Sequence, residues 1–168
     1  LVGFGNVGRA FAKLLLKKEE ELANKYGLSA VVTGIITGSH GAAINPVGLD
    51  LAAALDLICS GGTLNELSTV EAPDETNKFI QACPAGFMFE TTPVNPQTGQ
   101  PALGYNQTAL ELGKHVVTAN KGPVVHGYQV LTRFAGQKGV RFMFESAVMD
   151  GAPIFSLFRS PLVGANLL

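Results

Sequence analysis

The glycine-rich run near the first residue constrains this chain more than any other feature. Residues 3–8 read Gly-Phe-Gly-Asn-Val-Gly and directly follow the apolar pair Leu1-Val2. In a G-x-G-x-x-G loop the first glycine permits a tight turn, the second lets the backbone approach a pyrophosphate, and the third lets helix and strand pack closely. The helix that follows offers its N–H groups and its positive dipole end to phosphates. The run therefore predicts a dinucleotide site between a strand and a helix.

Predicted strands and helices alternate along the rest of the chain. Strands are expected at 28–36, 86–91, 115–118 and 140–145, and helices at 9–26, 50–58, 74–82, 101–112, 124–137 and 152–159. Residues 37–48 are rich in Gly, Ser, Asn and Pro, and are expected to form a loop. The alternation predicts an α/β protein of Rossmann type, with a doubly wound parallel sheet.

Composition narrows the class of partner. The 168 residues are 46% hydrophobic and carry a net charge of −1, without a basic stripe that contains aromatic residues. Nucleic acid and membrane surfaces are therefore not expected as partners, and no apolar run approaches the roughly 20 residues of a bilayer span. Cys59 and Cys83 form no C-x-x-C pair, which favours reduced thiols and a cytoplasmic location.

The end of the second predicted strand bears on the choice between NAD and NADP. An enzyme that prefers NAD usually has a carboxylate near this position for the ribose 2′-hydroxyl. No acidic residue lies between Glu21 and Asp50. Ser39, His40 and Arg9 could instead contact a 2′-phosphate, so the sequence favours NADP over NAD. The alternative is that this loop makes no specific ribose contact.

Two further strand ends carry candidate groups at the same edge of the sheet. The hydroxyl groups of Thr91 and Thr92, followed by Pro93, could bind the nicotinamide ribose or amide, although an ordinary Thr-Pro turn explains the pattern equally well. Lys121 follows the next strand, where an ammonium group can stabilise the oxygen of a carbonyl or alkoxide during hydride transfer. The alternative for Lys121 is an ordinary surface lysine.

The segment 145–152 suits a hard cation, because a carboxylate, Glu145, precedes a bend that offers backbone carbonyl oxygens. The alternative is a plain turn from strand to helix, with Asp150 as the helix cap.

Four segments together resemble the nucleotide-binding half of homoserine dehydrogenases. They are residues 3–9, 90–95, 113–121 and 145–153, and their order and spacing also match. The stretch Thr118-Ala119-Asn120-Lys121 is the most specific of them, and the resemblance covers nearly the whole chain.

This resemblance implies an NAD(P)-dependent interconversion of L-homoserine and L-aspartate 4-semialdehyde, on the route to threonine, isoleucine and methionine. It makes Phe4, Asn6, Val7, Thr92 and Lys121 cofactor contacts. It also implies a sodium- or potassium-type cation held by Glu145 and by the carbonyl groups of Val148, Asp150 and Ala152. Together with the glycine loop and the strand ends, the expected cofactor-binding residues are Phe4, Gly5, Asn6, Val7, Gly8, Arg9, Ser39, His40, Thr92, Pro93 and Lys121.

The resemblance also implies a second domain, because family members continue into a domain that binds the amino acid and supplies the main catalytic lysine. We expect residues 1–150 to form the dinucleotide-binding domain and residues 151–168 to begin the connection to that substrate and dimerisation domain. Lys121 is then an auxiliary catalytic residue, the full-length protein is expected to be a homodimer, and the isolated chain is expected to be inactive. The alternatives are another amino-acid or semialdehyde dehydrogenase and a non-catalytic dinucleotide-binding regulatory module.

Overall fold

Strands and helices alternate in the computed structural model, which describes residues 1–149 and 152–159. The strands are β1 (Gly34–Ile36), β2 (Ala42–Ile44), β3 (Phe87–Glu90), β4 (His115–Thr118) and β5 (Phe142–Met143). The α-helices are α1 (Asn6–Tyr26), α2 (Leu51–Cys59), α3 (Thr76–Ala82), α4 (Ala102–Glu111), α5 (Lys121–Lys138) and α6 (Ile154–Arg159). Short 3-10 helices occupy Leu64–Leu67 and Glu145–Ala147.

Val2 joins the two halves of the sheet. It forms parallel bridges to Ile36 on one side and to Glu90 on the other. Its N–H donates to the Phe89 carbonyl at 2.8 Å, and its own carbonyl accepts from Thr91 at 2.8 Å. The order across the sheet is β2, β1, Val2, β3, β4 and β5, with β3, β4 and β5 parallel. The chain therefore first forms the strands on one side of Val2, β1 and β2, and later the strands on the other side, β3, β4 and β5. This strand order confirms the Rossmann-type fold.

The two faces of the sheet pack into separate hydrophobic clusters. Ile36, Met88 and Val116 belong to a cluster that includes residues of α3, α4 and α5. Ile35, which points to the opposite side from Ile36, belongs to a second cluster with residues of α1 and α2, among them Ala12. Because successive strand residues face opposite sides, this division shows that helices cover both faces. The sheet is therefore doubly wound, as predicted.

The edge beyond β1 differs from the prediction. Residues 28–33 form no strand, and Leu28 and Val31 are 57% and 58% exposed. The predicted loop at 37–48 contains β2, which pairs antiparallel with β1. Gly41 has a φ of +73°, which allows the chain to reverse, and Ala42–Ile44 are then buried. The prediction was wrong here because three residues among glycines and polar residues give too short a pattern to indicate a strand.

Helix α5 begins three residues earlier than predicted. The Asn120 side chain accepts the N–H of Gly122 at 2.9 Å, and so caps the helix ahead of Pro123. Proline is compatible with a first helical turn, because its missing N–H would have no intrahelical partner there. The early start makes Lys121 the first residue of a helix rather than part of a loop.

Candidate functional site

A cleft of about 1000 Å³ lies at the carboxyl ends of the central strands. Three segments supply much of its lining: residues 3–7 after Val2, residues 36–40 at the end of β1 and beyond it, and residues 91–93 after β3. The cleft opens where the strand order changes direction. In open α/β sheets this switch point is the usual place for a ligand. Of the predicted cofactor-binding residues, those that line the cleft are Phe4, Gly5, Asn6, Val7, Arg9, Ser39, His40, Thr92 and Pro93.

The three loop glycines have different surroundings. Gly3 has a φ of +91°, and its carbonyl accepts the Thr91 hydroxyl at 3.0 Å. A Cβ atom on Gly8 would lie 2.6 Å from the Gly3 carbonyl oxygen, so this glycine permits the close packing of α1 on the loop. A Cβ atom on Gly5 would meet nothing within 4 Å. Gly5 precedes α1 without any side-chain cap, and Gly5, Asn6 and Val7 at the start of the helix line the cleft.

Arg9 and the loop after β1 line the same cleft. The Arg9 guanidinium donates to the Asn6 side-chain oxygen at 2.9 Å and to the Gly5 carbonyl at 3.3 Å, so it folds back along the glycine loop. The backbone N–H of His40 donates to the Thr37 hydroxyl at 2.7 Å, and its ring Nδ1 contacts the Gly62 carbonyl at 3.0 Å. Because these contacts use the backbone N–H and Nδ1, the ring nitrogen of His40 through which a ligand could be bound is Nε2.

The threonines after β3 already have partners inside the protein. The Thr91 hydroxyl donates to Gly3, and the Thr92 hydroxyl donates to Glu90 Oε1 at 2.5 Å. Both residues line the cleft, but each hydroxyl proton points into the protein. The sequence predicts that these hydroxyl groups bind the cofactor. With their protons used inside the protein, they could do so only as hydrogen-bond acceptors.

Lys121 and Gly8 are predicted cofactor residues that do not line this cleft. Gly8, in the first turn of α1, is buried against the Gly3 backbone. Lys121 is exposed, at the carboxyl end of β4 and the start of α5. The cap residue before it, Asn120, donates from its amide to the carbonyl groups of Thr92 at 3.1 Å and Pro93 at 3.3 Å. The segment that carries Lys121 is thus tied to the segment that carries Thr92.

Two of the predicted cation residues, Glu145 and Ala152, already have hydrogen-bond partners within the protein. The Glu145 carboxylate accepts the backbone N–H of Ser156 at 3.0 Å and its hydroxyl at 2.9 Å, and the Ala152 carbonyl accepts from Ile154 at 2.8 Å. Glu145 lies in a 3-10 helix rather than at the end of a strand. Val148 is about half exposed, and Asp150 lies outside the described residues. Within residues 1–149 and 152–159 no group of three or more His, Cys, Asp or Glu side chains could hold a metal ion.

Several residues of the cleft carry no sequence motif. Ile58 of α2, Thr76 of α3, and Pro101 and Tyr105 at α4 complete the lining. They are far apart in the chain, and only the packing of three helices brings them together. Glu90 is also absent from the predicted site, although it is buried directly behind Thr92. The sequence indicated a role for Glu90 only through its position, as a charged residue at the end of an apolar strand.

A charged group at the opposite edge of the sheet has a structural role. Lys114, just before β4, donates to the carbonyl groups of Cys83 at 2.6 Å and Ala85 at 3.1 Å. Burial of the Lys114 ammonium group away from water lowers the Lys114 pKa below the ordinary lysine value.

None of the helices among the described residues has both the length and the apolar character that a membrane span requires.

Comparison with known proteins gives a consistent set of relatives. The chain is 37% identical over 170 residues to an NAD(+)-dependent homoserine dehydrogenase of Pseudomonas canavaninivorans, which covers 99% of this chain and 47% of that protein. It is 36% identical over 168 residues to a homoserine dehydrogenase of Methanocaldococcus jannaschii, covering 100% of this chain and 49% of that protein. No protein-family profile matches the chain.

Solved structures agree with the sequence relatives. A hyperthermophilic archaeal homoserine dehydrogenase in complex with NADPH superposes with a TM-score of 0.80 at 27% identity, covering 97% of this chain and 48% of that one. A putative homoserine dehydrogenase of Archaeoglobus fulgidus gives a TM-score of 0.76 at 28% identity, covering 96% and 46%. The chain thus spans about half the length of the relatives that it matches.

Proposed function

The chain belongs to the homoserine dehydrogenase family, and we propose that it forms the dinucleotide-binding part of an enzyme that interconverts L-homoserine and L-aspartate 4-semialdehyde. One observation carries this proposal. The glycine loop and the Thr-Pro segment, which are far apart in the chain, line one cleft at the switch point of the sheet. A dinucleotide needs this combination, because its pyrophosphate and its nicotinamide lie several ångströms apart.

The reaction oxidises the primary alcohol of homoserine to an aldehyde, with loss of one hydride and one proton. When bound, the nicotinamide accepts or returns the hydride. The N-terminus of α1 and the glycine loop would hold the pyrophosphate. Thr92 and Pro93 would border the nicotinamide, and the Lys121 ammonium would stabilise negative charge on the reacting oxygen. The described residues offer no evident group to grip the amino and carboxylate groups of homoserine.

The wider context follows from the same family assignment. We propose that residues 1–150 are the NAD(P)-binding domain and that residues 151–168 lead toward a substrate and dimerisation domain. In the full-length protein this arrangement would produce a homodimer without nucleic acid or membrane partners. We also propose that the enzyme works in the cytoplasm and serves threonine, methionine and isoleucine biosynthesis, in keeping with the free Cys59 and Cys83 thiols.

The test of this function is the spectrophotometric oxidation of L-homoserine. We expect the full-length protein to reduce NAD(P)⁺ in the presence of homoserine. We expect the 168-residue chain to bind dinucleotide in a fluorescence titration but to give no turnover, because hydride transfer requires the substrate carbon to be held against the nicotinamide. A full-length protein that is inactive on homoserine, or a chain that binds no dinucleotide, would contradict the proposal.

The preference for NADP can be measured separately. The cleft contains Ser39, His40 and Arg9, and no acidic side chain is among the described residues that line it. A 2′-phosphate would therefore meet potential donors without repulsion, and we expect NADPH to bind the chain more tightly than NADH. The relative from Pseudomonas canavaninivorans is named NAD(+)-dependent, so the opposite ranking would indicate that this chain shares that protein's preference. Arg9→Ala should weaken NADPH binding more than NADH binding, whereas a distant control, Arg133→Ala, should change neither.

The cation remains a proposal of its own. Ser156 donates one hydrogen bond to each carboxylate oxygen of Glu145, and because a carboxylate oxygen can accept more than one bond, sodium or potassium could share the carboxylate with Ser156. We expect activity of the full-length protein to depend on alkali-cation concentration, and Glu145→Gln to remove that dependence. Activity that is the same in sodium, potassium and a bulky organic cation would argue against the site.

A further inference from the structure

A fully buried carboxylate lies directly behind the proposed nicotinamide contacts. Glu90, the last residue of β3, is 0% exposed. The salt bridges found among the described residues join Lys18 to Glu21 and Lys78 to Glu75, so none of them involves Glu90. A buried charge without a counter-ion is unfavourable unless several donors satisfy it. Its presence at this position therefore calls for a specific use.

Hydrogen-bond donors surround Glu90 on both of its oxygens. Oε1 accepts the backbone N–H of Thr92 at 2.7 Å and the Thr92 hydroxyl at 2.5 Å. Oε2 accepts the Thr118 hydroxyl at 2.6 Å. The Thr118 oxygen in turn accepts the N–H of Asn120 at 3.0 Å, which directs its own proton toward Glu90. The carboxylate thus joins the ends of β3 and β4.

This arrangement determines what Thr92 can offer to a ligand. A hydroxyl group has a single proton and two lone pairs. The proton of Thr92 is used by Glu90, while the residue lines the cleft. The Asn120 amide holds the carbonyl groups of Thr92 and Pro93 from the other side, which limits movement of the segment. Toward a ligand in the cleft, the Thr92 hydroxyl can therefore act only as a hydrogen-bond acceptor.

We propose that Glu90 is a positioning residue that holds the Thr92 oxygen as an acceptor for the carboxamide N–H of the nicotinamide. The inference rests on the proposed dinucleotide binding, but not on homoserine as the substrate. The carboxamide carries N–H donors, and an acceptor held in place at Thr92 would fix the rotation of that group. The nicotinamide ring would then present one defined face to the substrate.

A pair of dinucleotides that differ in this group tests the inference. The 3-acetylpyridine analogue of NADP⁺ has a methyl group in place of the carboxamide nitrogen. We expect the 168-residue chain to bind NADP⁺ about 5- to 10-fold more tightly than the analogue, the scale of one hydrogen bond. In Thr92→Val the two affinities should become nearly equal, and Thr92→Ser should keep the difference. A structural defect alone would weaken both ligands and leave their ratio unchanged.

Variants at Glu90 separate positioning from direct contact. Glu90→Leu frees the Thr92 hydroxyl proton, so the affinity ratio should fall. Glu90→Gln keeps one oxygen that can accept from Thr92, so it should restore much of the ratio. Thr118→Val is the matched control, since it removes the donor to the other carboxylate oxygen, together with the acceptor of the Asn120 N–H, and should keep the ratio. If Glu90→Leu fails to fold, Thr92→Val still tests whether the Thr92 oxygen accepts from the carboxamide.

Two outcomes would overturn the inference. The first is an unchanged ratio in Thr92→Val or Glu90→Leu, whether or not both dinucleotides bind more weakly. The second is a wild-type chain that binds neither dinucleotide, which would overturn the proposed function as well. Failure to oxidise homoserine with the ratio intact would overturn only the substrate assignment.

Discussion

Replacing Lys121 with alanine in the full-length enzyme is expected to lower kcat/KM for homoserine by about 100-fold, while the Kd for NADPH changes by less than about 3-fold. The physical reason is that a charge aimed at a developing oxyanion acts mainly in the transition state, where removal of one such group costs roughly 2.7–4 kcal/mol. Steady-state kinetics together with a fluorescence titration of cofactor would measure both quantities.

The position of Lys121 adds an independent expectation about stability. It is the first residue of an 18-residue helix and is exposed. A cation at a helix N-terminus is unfavourable by roughly 0.3–1 kcal/mol, so alanine should leave the melting temperature unchanged or raise it slightly. Lys138→Ala, at the other end of the same helix, is the matched control and should leave kcat/KM unchanged. Unchanged kinetics in Lys121→Ala would contradict the proposed role.

Replacing Gly5 with alanine is expected to weaken dinucleotide binding by about 30-fold without destabilising the protein. A methyl group at Gly5 meets no protein atom within 4 Å, and the backbone φ of −75° is open to alanine. It would occupy the space through which a pyrophosphate approaches the second loop glycine, at a steric cost of roughly 2 kcal/mol. Calorimetric titration with NADPH and thermal unfolding would separate the two effects.

Gly8→Ala serves as the contrasting variant. Its methyl group would lie 2.6 Å from the Gly3 carbonyl oxygen and 3.2 Å from the Thr91 hydroxyl, so α1 would have to shift away from the loop. We expect a loss of roughly 1–3 kcal/mol in the free energy of unfolding, with a lower melting temperature. If Gly5→Ala lost stability as Gly8→Ala does, or bound NADPH normally, the assignment of the pyrophosphate to this loop would be wrong.

Local chemistry determined the parts of the fold that the sequence predicted well. The end of α1 at Tyr26, the start of α2 at Leu51 and the strand at 115–118 appear at or next to the expected residues, because residues within about four positions indicate each of them, with Gly27 and Asp50 as the caps of the two helices. The start of α5 was misplaced, because a proline inside the first turn resembles a helix boundary until the Asn120 cap is seen. The β2 strand was missed because its stability comes from pairing with β1 and not from its own three residues.

The sequence by itself determined the glycine turn, the alternation of strands and helices, and the residues at the strand ends. These properties follow from backbone sterics and from the hydrophobic periods of helix and strand, which are short-range. Only the tertiary structure decided that Ile58, Thr76 and Tyr105 complete the cleft, and that Glu90 takes the proton of Thr92. The tertiary structure also engaged Glu145 with Ser156, 11 residues away. The physical reason is that such partners are chosen by packing between distant segments, where donors and acceptors pair once they leave water, and no local pattern specifies that pairing.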